Sequence, residues 1–120
     1  MVCYDKIEVL PIKYNMQIAS YCCGFESFKK EFGEKQDINF RYNNTTLYEG
    51  YYHPVNLHYS GYTKPWSKES LKLREYWWYY ANKTKYMSEI MEMNNYDKNE
   101  INEMLSKINF KNITENIKPE

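Results

Sequence analysis

A chain of 120 residues has room for a single hydrophobic core, and its 16 basic and 16 acidic side chains cancel to a formal net charge of zero. That balance excludes a polycationic surface for nucleic acid or anionic lipid, and no apolar run approaches the roughly 20 residues of a membrane span. No signal-peptide pattern opens the chain, and Cys3, Cys22 and Cys23 form neither a disulfide framework nor a C-x-x-C knuckle, so a soluble protein of the reducing cytoplasm is expected. The Asn-x-Thr triplets at Asn43, Asn44, Asn82 and Asn112 then read as chance in an Asn-rich chain rather than as glycan acceptors.

Lys6 to Leu10 alternates as a strand does, and Pro11 ends its ladder. Asn15 to Gly24 has little period and is expected to be a loop. Phe25, Phe28 and Phe32 share one helical face, which predicts a short helix over 25–33 stopped at Gly33. Asn44 or Thr45 is expected to cap a brief helix from Thr46 to Tyr52, and His53-Pro54 forces an extended exit, with His53 in a solvated or capping role.

The next stretch carries the chemistry. Val55, Leu57 and Tyr59 fall on one side of a predicted strand, Asn56, His58 and Ser60 on the other. Gly61 ends the strand and bares a backbone N–H, and Lys64 follows on a loop braced by Pro65 and Trp66. An imidazole, an open amide and an ammonium at spacing H-x-x-G-x-x-K, leaving the carboxyl end of a strand, suit a phosphate or diphosphate with a bridging divalent metal. The plain alternative is a strand histidine and a solvated loop lysine.

Ser67 and Ser70 are candidate N-caps for a helix with Leu73, Tyr76, Trp77 and Tyr80 on its inner side. It is expected to cover the strand and hold the Lys64 loop. A helical segment from Tyr86 to Met93 fades at Asn94-Asn95. Asp97 and Glu100 then form a capping box for a last helix striped by Ile101, Met104, Leu105 and Ile108. That stripe packs on the domain or waits for a partner. The division expected is one domain over 1–93 with an amphipathic helical tail over 94–120.

Three strings in order resemble the end of the catalytic domain of glycosyltransferase family 8: Leu10-Pro11-Ile12-Lys13-Tyr14-Asn15, then His58-x-x-Gly61-x-x-Lys64-Pro65-Trp66, then Trp77-Trp78-Tyr79-Tyr80-Ala81. The resemblance covers roughly residues 1 to 90. It implies an α/β fold, here the C-terminal part of a GT-A-type (Rossmann-like) domain with few strands and several helices. It implies a retaining hexosyltransferase that moves a sugar from a nucleotide-sugar donor to a glycan or lipopolysaccharide-type acceptor, with manganese as cofactor. By motif position, His58 would be a metal ligand, and Gly61 and Lys64 would contact the donor diphosphate.

The family's D-x-D ligands have no counterpart, since the aspartates are Asp5, Asp37 and Asp97, none two apart. Glu26, Glu31 and Glu49 are conceivable substitutes that no spacing singles out. The resemblance therefore implies a truncated or split enzyme: the 120 residues alone are expected to lack transfer activity and to self-associate or pair with a complementing N-terminal part. The alternative from another class is a non-catalytic binding or interaction module derived from such a domain.

Overall fold

The computed structural model describes residues 10–34 and 42–114. It is a mixture of short helices with one small parallel sheet, and the chain separates into two compact units, Met1–His58 and Tyr59–Glu120. The strand expected over Lys6 to Leu10 lies outside the described residues but for Leu10, which is 60% exposed and in no strand. No helix among the described residues is long and apolar enough to cross a membrane.

In the first unit a 3-10 turn, Ile12–Tyr14, leads into β1, Met16–Gln17, and a second 3-10 turn, Ile18–Tyr21. The loop expected from Asn15 to Gly24 is thus replaced by a strand and a turn. Burial shows why: Met16 and Ile18 are two apart and both buried, as in a strand, and Tyr21 follows Ile18 by the three residues of a 3-10 period. Helix α1, Gly24–Lys29, continues as a π-turn through Lys30–Glu34, past the stop expected at Gly33. Its aromatic face is as read, with Phe28 buried and Phe25 and Phe32 partly so.

Helix α2, Asn44–Tyr52, begins two residues earlier than predicted because Asn43 is the cap, its side chain accepting from the Thr46 N–H at 2.8 Å. It lays Leu47, Gly50 and Tyr51 inward. Tyr51 and Tyr21 rings lie 4.6 Å apart, and the Tyr21 hydroxyl donates to the Tyr51 carbonyl at 2.8 Å. The chain leaves α2 through His53, whose N–H donates to the Glu49 carbonyl at 2.8 Å, the capping role expected of it. It then enters β2, Leu57–His58, which pairs parallel with β1 in the register Met16 with Leu57 and Gln17 with His58. The strand is shorter than the expected 55–59 because Val55 and Asn56 spend their N–H groups together on the Lys13 carbonyl instead of on a ladder.

The second unit holds α3, Arg74–Ala81, α4, Met87–Met93, and α5, Lys98–Ser106. Neither Ser67 nor Ser70 caps α3. It starts behind Leu73, which sits in the left-handed region at φ 63°, buried, with no side-chain cap among the described residues. Its inward face is Tyr76, Trp78 and Ala81, and Tyr80 stands 61% exposed. The capping box at α5 is complete: Asp97 accepts from the Glu100 N–H at 2.8 Å and Glu100 from the Asp97 N–H at 3.1 Å. Ile101 and Met104 pack in one cluster with Trp78, Ala81 and Tyr96, with Leu105 partly buried against it. The apolar stripe of the last helix is therefore occupied inside its own unit.

Candidate functional site

His58 ends β2 and is exposed at the carboxyl end of a parallel strand. Its Nδ1 lies 3.0 Å from Asn15 Oδ1, on the loop that follows the Ile12–Tyr14 turn. A carbonyl oxygen only accepts, so the imidazole donates from Nδ1, and in the neutral ring the lone pair is on Nε2. That is the arrangement found in metal-binding histidines, where the second ring nitrogen is spent on orienting the ring.

Asn15 has a second neighbour. A cleft of about 430 Å³ opens beside it, lined by Tyr14, Asn15, Gln17, Ser20, Phe32 and Tyr42 among others, with no charged side chain among the described residues of its wall. Lys13, from the same turn, is held by Glu49 of α2 at 2.7 Å, and that hydrogen bond raises its pKa above the ordinary lysine value.

Gly61 and Lys64 belong to the second unit. Gly61 is exposed, no described atom lies within 4 Å of where a Cβ would stand, and its φ is not left-handed. The turn therefore does not demand glycine, and the position is open to close approach. Lys64 is partly buried, its ammonium donating to the Tyr59 carbonyl at 3.0 Å, which uses one of its three protons.

The loop after Lys64 is tied down at each step. Ser67 donates to the Lys64 carbonyl from its N–H at 3.0 Å and its hydroxyl at 2.9 Å, and the Trp78 indole donates to the Pro65 carbonyl at 2.8 Å. Arg74 and the Tyr96 hydroxyl both donate to the Ser67 carbonyl. Tyr59 anchors the other side, its hydroxyl donating to the Leu73 carbonyl at 2.6 Å. Burial, aided by the Glu75 carboxylate, pushes that phenol well above the usual tyrosine range, so it stays a donor.

Neither a family model, nor a curated protein, nor a solved structure matches this chain.

Among the described residues no three His, Cys, Asp or Glu side chains gather into a metal-holding group. Glu49 is engaged with Lys13, Glu26 pairs with Lys29 at 3.1 Å, and neither joins His58 in such a group. One imidazole falls far short of the six or so donors that a resident divalent ion of this kind takes, so the described side chains do not make a manganese centre by themselves. What His58 can do is complete the shell of an ion whose other donors are phosphate oxygens and water. The role of Asn15 escaped the spacing argument, although it stands in the first quoted string. Asn15 and His58 stand 43 positions apart and are brought together by the β1–β2 pairing, and nothing local announces a parallel pair of two-residue strands.

Proposed function

We propose that this chain supplies donor-site residues of a nucleotide-sugar hexosyltransferase of the family 8 type, with a GT-A-like α/β architecture. Gly61 and Lys64 contact the donor diphosphate, and His58 contacts a divalent ion, manganese by resemblance, that arrives with the diphosphate. The observation that carries this reading is the hydrogen bond from His58 to Asn15: two of the three resembling strings meet there, and the bond leaves Nε2 as the outward donor.

The chemistry required of these residues is modest. When a sugar leaves a diphosphate, negative charge grows on the departing oxygen, and an ammonium already fixed beside it stabilises that charge without having to reorganise. Lys64, held by the Tyr59 carbonyl and by the closed Lys64–Ser67 turn, is fixed in this sense. The cleft beside Asn15, with aromatic rings and side-chain amide and hydroxyl groups among its described lining, has what a hexose needs for stacking and hydrogen bonding. A D-x-D pair of metal ligands has no counterpart in these 120 residues, and transfer by them alone is not expected.

Calorimetry with a nucleoside diphosphate and manganese tests the assignment of Lys64. Lys64→Ala is expected to weaken binding by roughly 1.5–3 kcal/mol, about a ten- to hundredfold rise in Kd, through loss of a charge-assisted contact. Equal affinities for the wild type and the variant would remove Lys64 from the site. Tight diphosphate binding that does not respond to manganese would favour the non-catalytic binding module.

A further inference from the structure

Cys22 and Cys23 lie between the Ile18–Tyr21 turn and α1, both exposed, with their sulfur atoms 2.8 Å apart. Adjacent cysteines usually send their side chains apart. Here the backbone angles at Cys22 (φ −68°, ψ −35°) and Cys23 (φ −125°, ψ 15°) bring them together, and Gly24, at φ 84°, absorbs the turn into α1. The thiols open on a small cleft of about 200 Å³ whose wall also includes Ser20, Ser27, Lys30 and Glu31. Solvent access is the first requirement for thiols to react with electrophilic oxidants.

We propose that Cys22 and Cys23 form an oxidation site for hydroperoxides that closes to a disulfide between adjacent residues. One thiolate attacks a peroxide oxygen, the O–O bond breaks, and the sulfur becomes a sulfenic acid as the first water, or the alcohol of an organic peroxide, departs with a proton. The neighbouring thiolate attacks that sulfur, the S–O bond breaks, and a second water leaves as the S–S bond forms. Two thiols and one peroxide thus give one disulfide and two small hydroxylic products, with the two sulfurs in contact before the S–S bond forms. The position gives the reaction a structural consequence, because Tyr21 on one side is fully buried against Tyr51 and Phe25 on the other packs on Tyr48, Tyr51 and Tyr52. A ring formed between them acts on the connection between the 3-10 turn and α1. This inference is independent of the transferase reading.

The test is one equivalent of hydrogen peroxide added to the reduced full chain, followed by alkylation, trypsin and mass spectrometry. Cleavage after Lys13 and Lys29 places both cysteines in peptide 14–29 and Cys3 in another. The expected product is peptide 14–29 lighter by two hydrogens and closed to alkylation, restored by dithiothreitol, while Cys3 stays alkylatable. In Cys22→Ser and in Cys23→Ser the two-hydrogen loss vanishes and the remaining thiol is trapped as a sulfenic acid. Peptide 14–29 still alkylated at both thiols after peroxide, or a disulfide through Cys3 or between two chains, would overturn the proposal.

Discussion

Trp78→Ala is expected to lower the stability of the second unit by about 3–5 kcal/mol, a large part of the 5–15 kcal/mol typical of a whole domain. Trp78 is fully buried, its ring lies 4.6 Å from that of Tyr96, and it shares a cluster with Ala81, Ile101 and Met104. Truncation leaves a cavity that these partners fill only in part, and it deprives the Pro65 carbonyl of the indole donor. Trp78→Phe separates the two causes. It keeps most of the packing and loses the hydrogen bond, so a smaller loss of about 1–2 kcal/mol is expected, read as a shift in the urea midpoint. Equal losses for both variants would mean that the bond to Pro65, not the ring, holds the unit together.

Gly50→Val is the corresponding lesion in the first unit. A Cβ at Gly50 would stand 2.5 Å from Ile12 Cγ2, 3.2 Å from the Lys13 backbone nitrogen and 3.4 Å from Met16 Sδ. The first of these atoms is the methyl of a β-branched side chain and the second is main chain, so neither yields without moving the Ile12–Tyr14 turn. Overpacking of this kind costs roughly 1–3 kcal/mol, and valine sits at the costly end because it adds branches beyond Cβ. Replacing a helical glycine returns somewhat less than about 1 kcal/mol of propensity, which leaves the clash dominant. The same displacement carries Asn15 away from His58, so the variant is expected both to melt earlier and to lose the oriented imidazole. An unchanged melting curve would show that α2 and the turn are not in the close contact described.

The helices that were legible in the sequence are those with both a periodic face and a polar stop. Asp97 and Glu100 announce α5, and Ile101 and Met104 lie buried where their spacing puts them. At α2 the run Asn43-Asn44-Thr45-Thr46 offers four residues able to cap, and only the realised bond from the Thr46 N–H selects Asn43. At α3 the two serines were persuasive caps, but Ser67 closes a turn on Lys64, and the helix begins at a left-handed leucine that no propensity would nominate. Strands of two residues carry too little alternation to be seen, and their pairing is long-range, so β1 was missed and β2 drawn too long. For the candidate site, His58, Gly61 and Lys64 were named from spacing. The partners that hold two of them, Asn15 for the imidazole and Tyr59 for the ammonium, needed coordinates.

The central claim is that His58, oriented by Asn15, meets a divalent ion carried by a diphosphate. The chain has two histidines, so the measurement contains its own control. Manganese added with a nucleoside diphosphate is expected to broaden the imidazole resonances of His58 in proton–nitrogen NMR spectra through paramagnetic relaxation at lower manganese additions, and more strongly, than those of His53 at the end of α2. His58 signals that persist under the same additions, or His53 and His58 broadening alike, would contradict the account.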